Sequence, residues 1–188
     1  IDFYDDGAGH RGQAAMLQTF AASHNVRMVV VSIGGNDFKF ADIVQSCVVD
    51  FLYSPSWAKD YCNDDSSVTK NFTAANVAAV RARIAGAFRN VQTAMRASGY
   101  ADSQWTLLVQ TYPSPIPRGS GFRYSQSGYT RQSTGGCGFW NGDADWWQAF
   151  GADPTASMLR SIERAAPTGP PVDITFVEYA DLSTAHPS

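Results

Sequence analysis

The chain has 188 residues and a net charge of −3; 44% of its residues are hydrophobic and 16% are charged. This length predicts a single domain over residues 1–188 with a sizeable core, and the low charge content excludes a disordered chain. Without a basic stripe the chain is not expected to bind nucleic acid, and its longest apolar run, Met28 to Ile33, is too short to span a membrane.

Hydrophobic periodicity predicts helices that alternate with strands. In chain order these are a helix over Gln13–His24, a buried strand over Arg27–Ile33, helices over Phe40–Phe51 and Ala74–Ser98, a buried strand over Trp105–Gln110, a helix over Pro154–Ala166 and a strand over Val172–Val177. The buried stripe of the long helix is predicted to be Val77, Val80, Ile84, Phe88, Val91 and Met95. The alternation predicts an α/β fold, a three-layer α/β/α sandwich around a parallel sheet.

Two long segments, Ser54–Lys70 and Gly119–Gly151, show little periodicity and are predicted to be irregular loops. Loops of such length in a compact domain are usually functional or held by a crosslink. The second segment is rich in aromatic residues that could line an acyl or glycan cleft, or could instead pack the loop onto the domain: Tyr124, Tyr129, Trp140, Trp146 and Trp147.

The three cysteines leave two interpretations open. Cys47 and Cys62 flank an aromatic loop and could close a short disulfide, which leaves Cys137 without a partner in this chain. Three reduced, buried thiols in a cytosolic protein are the alternative. Because the loops are rich in Gly, Ser, Tyr and Trp, we favour the disulfide and a secreted protein.

Gly34, Gly35 and Asn36 directly follow the first predicted strand. The carboxyl ends of parallel strands are where open α/β sheets bind ligands, and glycines permit positive φ and close approach of a substrate. The Asn36 amide could donate a hydrogen bond to a developing negative charge, as an oxyanion hole requires. The same residues also fit a plain turn, and Asp37 is expected to cap the helix that follows.

Acidic residues do not form a recognisable metal motif. Asp5 and Asp6 with His10, and Asp143 with Asp145, lack the spacing of a metal site, so solvated loops are the simpler interpretation. We therefore expect no metal site at these residues.

The segment Ser32-Ile33-Gly34-Gly35-Asn36-Asp37, with Phe38 to Val44 after it, resembles the third sequence block of the SGNH (GDSL) hydrolases. Further likeness, to the secreted actinobacterial branch of that family, lies in Tyr112-Pro113-Ser114-Pro115-Ile116-Pro117 and in Gly135-Gly136-Cys137-Gly138-Phe139-Trp140. The family consists of serine esterases and lipases on a flavodoxin-like parallel sheet. The resemblance covers most of the chain.

This resemblance implies an ester hydrolase that works through an acyl-serine intermediate and needs no metal or cofactor. Asn36 would hold the oxyanion, Gly35 would shape its loop, and His186 would be the general base, unless the base lies beyond Ser188. The chain contains no Gly-Asp-Ser motif, and Gly142-Asp143-Ala144 ends in a residue without a hydroxyl. We therefore expect the first strand and the nucleophilic serine to lie before Ile1, on an absent segment or a complementary N-terminal fragment.

The expected substrates are small-molecule, lipid or glycan esters. A second hypothesis is a non-catalytic scaffold of the same type, which lacks its serine and binds glycan or lipid through the aromatic loop. The chain alone is expected to be inactive under either hypothesis.

Overall fold

The structure, a computed structural model, describes residues 11–110, 116–149 and 173–177. Within these ranges the helices are α1 (Gln13–Ala21), α2 (Phe40–Tyr53), α3 (Ser66–Thr69), α4 (Ala74–Ala97), α5 (Thr130–Ser133) and α6 (Asn141–Trp147). The strands are β1 (Met28–Ser32), β2 (Thr106–Gln110) and β3 (Asp173–Val177). The chain is a mixed α/β protein, as its sequence predicts, and it divides into two compact units.

The first unit contains residues 11–33, 81–110 and 173–177 of the described chain. Its sheet has the order β1-β2-β3, and both strand pairs are parallel. Val31 lies opposite Val109, which in turn lies opposite Phe176. Parallel pairing needs long crossover connections, and the predicted alternation of helices and strands supplies them.

The buried side of α4 confirms the helical stripe predicted for this segment. Its buried apolar residues recur at intervals of three and four, as one face of a helix requires: Val80, Ile84, Ala87, Phe88, Val91, Ala94 and Met95. Val77, at the start of the predicted stripe, is only half-buried.

A network of side chains fixes the turn that leads from α4 to β2. Asp102 is buried and accepts hydrogen bonds from Arg96 and from Gln92, the latter at 2.8 Å. The hydrogen bond from Arg96 holds the pKa of Asp102 below its ordinary value. In the same unit the Tyr100 hydroxyl donates to the carbonyl of His24 at 2.6 Å and accepts the N–H of Val26 at 2.9 Å.

The second unit contains residues 34–80 and 116–149 of the described chain. Its core surrounds a disulfide between Cys47 on α2 and Cys62, as predicted, and both cysteines are fully buried. The apolar side chains of this core come from every part of the unit: Ile43, Val68, Ile116, Phe139, Ala144 and Trp147. Because this core is built around the crosslink, the irregular segment that carries Cys62 is held against α2.

Several sequence predictions need correction. The segment Gly119–Gly151 is not a featureless loop, because it contains α5 and α6. The segment Ser54–Lys70 likewise contains α3 and a 3-10 turn at Cys62–Asp64. These helices have four to seven residues, too short for periodicity to reveal.

The strand predicted as buried over Arg27–Ile33 is β1, and it is mostly exposed. Only Val31 is buried, while Met28 and Val30 are more than half exposed. Among the described strands β1 pairs only with β2, so it lies at an outer edge of the sheet. The run of β-branched residues therefore predicted the strand correctly, but the prediction that the strand is buried was wrong.

The ends of the longer helices differ from the prediction by up to three residues. The first ends at Ala21 rather than His24, and α2 continues to Tyr53. The helix predicted over Pro154–Ala166 lies outside the described residues. No helix in the described ranges has the length and apolar character needed to cross a membrane.

Candidate active site

The chain leaves β1 through a turn that only a glycine adopts without strain. Gly34 has a φ of 115°, in the region that L side chains disfavour, whereas Gly35 has an ordinary helical φ of −57°. The turn then tightens into a 3-10 helix over Asn36–Phe38, in which the backbone N–H of Asp37 donates to the Gly34 carbonyl at 3.1 Å. Of the two glycines, Gly34 is the one that the backbone requires.

Three donor groups at this turn have no hydrogen-bond acceptor in the part of the chain that the structure describes. The Asn36 side chain is exposed, and no described residue accepts a hydrogen bond from its amide. The backbone N–H groups of Gly35 and Asn36 likewise have no acceptor among the described residues. A cluster of available donors is what a developing oxyanion needs.

Asp37 does not cap α2, contrary to the prediction. Lys39 occupies the N-cap position, with a left-handed φ of 59°, and its side chain makes no capping hydrogen bond. Its backbone N–H donates instead to the Asn36 carbonyl at 3.1 Å. The 3-10 turn inserted before α2 moves the cap two residues beyond Asp37.

Aromatic rings follow the turn directly. Phe38 is buried and stacks on Phe72 with 5.6 Å between ring centroids, and Phe72 meets the edge of Trp146 at 5.4 Å. Phe40 contacts Trp147 edge to face at 5.4 Å. Asn36 is therefore followed within four residues by an aromatic cluster that fixes the position of its turn.

Two carboxylates of the second unit are perturbed by burial. Asp143 on α6 is fully buried, and its pKa is raised to about 6, chiefly by desolvation. Asp50 on α2 has its pKa raised to about 6 by burial and by the negative charges of Asp65, Asp60 and Asp64. One oxygen of each, Oδ2, is buried and has no hydrogen-bond partner among the described residues.

Two of the acidic residues that we considered as metal ligands accept backbone hydrogen bonds instead. Asp143 accepts the N–H of Asn63 at 3.1 Å, and Asp145 accepts the N–H of Gly119 at 2.8 Å. In the described part of the chain no three His, Cys, Asp or Glu side chains are grouped to hold a metal. Asp5, Asp6 and His10 lie outside the described residues.

His186, the predicted general base, also lies outside the described residues. The structure therefore brings together Gly35 and Asn36 only, and the pairing of Asn36 with an imidazole stays a prediction.

Most of the aromatic residues of the second long segment pack inward. Trp140 is fully buried, contacts Phe51 and donates its indole N–H to Ser54 Oγ at 3.0 Å. Trp147 is buried in the core. Tyr129 is the exception, since its side chain is about half exposed. The packing interpretation holds for Trp140 and Trp147, whereas Tyr124 and Trp146 are half-buried and Tyr129 is the most exposed of the five.

Sequence reasoning missed a buried cation in this segment. Arg131 is 2% exposed and donates to the carbonyls of Tyr124 and Phe139 and to Asn141 Oδ1. Its guanidinium lies 4.1 Å from the ring centroid of Phe122. An arginine between glycine-rich, aromatic stretches is the available signal, but arginine is seldom buried, so the sequence alone does not suggest this role.

No family model, curated protein or solved structure matches this chain. The likeness to SGNH hydrolases therefore depends on the motifs of the sequence alone.

Proposed function

We propose that this chain is the larger part of a serine esterase or lipase of the SGNH type, folded as a three-layer sandwich. It would hydrolyse carboxylic esters, with the nucleophilic serine supplied by a segment that this chain does not contain. The observation that carries the proposal is the Gly34–Asn36 turn after β1, which leaves the Asn36 amide and two backbone N–H groups without acceptors among the described residues.

The proposed reaction has two acyl transfers. The serine hydroxyl attacks the ester carbonyl while His186 takes its proton, and the carbonyl oxygen becomes an oxyanion that Asn36 stabilises. Collapse of this intermediate expels the alcohol, which receives the proton from His186. Water then attacks the acyl-serine by the same route and releases the acid. Proton transfer and hydrogen bonding suffice for these steps, so the proposal names no metal or cofactor.

The open side of the sheet supports the expectation of an additional segment. Among the described strands β1 has a neighbour on one side only, and its Met28 and Val30 side chains are exposed. An unpaired strand edge can accept another strand, and exposed apolar side chains favour being covered. The buried disulfide supports an extracellular location, where such bonds persist.

Esterase assays test the proposal. The 188-residue chain should hydrolyse p-nitrophenyl acetate no faster than buffer does, and the chain joined to the serine-bearing segment should turn it over. In that active form Asn36→Ala should lower kcat by about 10²–10³, as loss of one oxyanion donor does. Asn25→Ala is the matched control, because Asn25 is also exposed and its side chain makes no hydrogen bond to a described residue.

If Asn36→Ala left kcat unchanged, Asn36 would not be an oxyanion donor. Robust turnover by the 188-residue chain would contradict the hypothesis that the nucleophilic serine lies on another segment. The competing hypothesis, a non-catalytic scaffold that binds glycan or lipid, makes a different prediction about the gene upstream of Ile1. A Gly-Asp-Ser sequence there favours the enzyme, whereas an unrelated domain favours the scaffold.

A further inference from the structure

An apolar surface in the second unit has no place in the proposed hydrolysis. It consists of Val49, Leu52 and Tyr53 on α2, and of Trp57 and Tyr129 on two loops, and we call it the α2 patch. Tyr53 and Trp57 are 85% exposed, and the other three are between 43% and 54% exposed. Large apolar side chains that are exposed together in one region often mark a binding surface.

Helical spacing groups the first three residues. Val49 lies three residues before Leu52 and four before Tyr53, so the three side chains share one face of α2. The opposite face of the helix is the buried one. Earlier in α2 the outward positions are Asp42 and Gln45, so the exposed face changes from polar to apolar towards its end.

A hydrogen bond between two loops positions Trp57 and Tyr129. The Gly128 N–H donates to Ser56 Oγ at 3.1 Å, and each aromatic residue comes directly after one partner of this bond. Tyr129 has a left-handed φ of 59°, an unusual conformation for a tyrosine. The indole N–H of Trp140 donates to Ser54 Oγ at 3.0 Å, which holds the residue that directly follows α2 and lies three residues before Trp57. The loops are thus fixed while their aromatic side chains stay exposed.

The α2 patch contains no charged side chain. Of the charged residues next to it in sequence, Asp50 and Lys59 are half-buried, whereas Asp60, three residues after Trp57, is exposed. The Lys59 ammonium donates to the Ser56 carbonyl at 2.7 Å and lies 5.4 Å from the ring centroid of Trp140. The exposed charge beside the patch is therefore negative, and with the net charge of −3 it disfavours binding to an anionic surface.

We propose that the α2 patch binds the surface of a zwitterionic phospholipid bilayer. Aliphatic side chains such as Val49 and Leu52 gain by leaving water for acyl chains, while Trp and Tyr favour the boundary between apolar and aqueous layers. The electrical neutrality of the patch matches a lipid surface without net charge. Exposed aliphatic side chains contribute little to glycan binding, so the composition favours lipid over glycan. This binding does not depend on ester hydrolysis.

Vesicle binding by the 188-residue chain tests the proposal. Sucrose-loaded vesicles of phosphatidylcholine should cosediment with the protein, and tryptophan fluorescence should shift to the blue. Of the five tryptophans, Trp57 is highly exposed whereas Trp105, Trp140 and Trp147 are buried, so the shift reports mainly on Trp57. Trp57→Phe should abolish most of the shift but keep most of the cosedimentation.

The variant Leu52→Ser should lower the partition coefficient about tenfold, because it removes one large apolar side chain from the contact. Met16→Ser is the matched control, since Met16 on α1 is similarly exposed at 58% but belongs to the first unit. Thermal melting of both variants checks that they remain folded.

The proposal would be wrong if the chain did not cosediment with phosphatidylcholine vesicles, or if it bound only vesicles that contain anionic lipid. It would also be wrong if Leu52→Ser and Met16→Ser lost vesicle binding equally, or if oligosaccharides quenched Trp57 while vesicles did not bind. Sedimentation velocity of the chain alone tests for self-association, which is the remaining alternative. A dimer that Leu52→Ser dissociates would assign the α2 patch to a second copy of this chain.

Discussion

Asp143 on α6 accepts a hydrogen bond from the backbone N–H of Asn63 at 3.1 Å, although 80 residues separate them in the chain. The bond joins α6 to the turn that carries Cys62 of the disulfide. One carboxylate oxygen of Asp143 has this partner, while the other is buried and has no hydrogen-bond partner within residues 11–110 and 116–149. A carboxylate in that situation favours its protonated form.

The stability of the fold should therefore depend on pH near 6. The pKa of Asp143 rises from 3.8 to about 6 on folding, chiefly because burial disfavours the charge. A raised carboxyl pKa contributes stability that is complete below about pH 4 and is lost as the pH rises through 6. Between pH 5 and 7 Asp143 should lower the free energy of unfolding by about 1 kcal/mol.

Asp143→Asn should remove that contribution, since the amide does not titrate and its oxygen can still accept the Asn63 N–H. Urea denaturation at pH 5, 6 and 7 measures the slope. Asp145→Asn is the control, because Asp145 lies on the same helix and also accepts a backbone N–H, from Gly119, but is exposed. Equal slopes for Asp143→Asn and the unmutated chain would contradict the prediction.

The disulfide should contribute a large share of the stability of the second unit. Cys47 and Cys62 are fully buried and 15 residues apart. A crosslink that closes a loop of this length stabilises a protein by about 3 kcal/mol, so the double variant Cys47→Ala/Cys62→Ala should lose about 2–4 kcal/mol in urea denaturation. Cys137→Ala, at the exposed free cysteine, should change it by less than about 0.5 kcal/mol.

The sequence predicted those parts of the fold that repeat a simple pattern. The stripe of α4 follows from apolar residues at helical spacing, and the strands follow from β-branched runs. The exposure of Met28 and Val30 could not be predicted in this way, because burial depends on what covers a strand and not on the strand itself. Short helices such as α6 offer too few turns for a period to show.

The candidate site was predictable only in part, for a similar reason. Two adjacent glycines and an asparagine after a strand indicated a tight turn with an available amide, and Asn36 is exposed in such a turn. The sequence could not say which glycine takes the positive φ, since that depends on the direction in which the chain leaves β1. The burial of Asp143 depends on contacts 80 residues away in the chain, which no local pattern encodes.

The two glycines of the turn should respond differently to a methyl group. Gly34→Ala places an L side chain at a φ of 115° and should cost about 1–3 kcal/mol of stability. Gly35→Ala, at a φ of −57°, should be neutral within about 1 kcal/mol, since alanine adopts this conformation readily. Thermal or urea denaturation of the pair measures both. If Gly35→Ala were the more damaging of the two, the turn would not have the described backbone.

Arg131 should be the residue that holds the segment between α5 and α6 in place. Three different nitrogens of its guanidinium donate, to two carbonyls and to Asn141 Oδ1, whereas the ammonium of a lysine offers a single nitrogen. Arg131→Met leaves one buried acceptor, the Phe139 carbonyl, and two part-buried acceptors without this donor, and should cost roughly 2–5 kcal/mol, with faster proteolysis of residues 122–141. Arg131→Lys should recover only part of this loss. Arg123→Met is the control, because Arg123 is exposed and its one partner among the described residues is the ring of Tyr124, at 5.4 Å. If Arg131→Lys were as stable and as resistant to proteolysis as the unmutated chain, the positive charge alone would explain the role of Arg131. The three hydrogen bonds of its guanidinium would then not be needed.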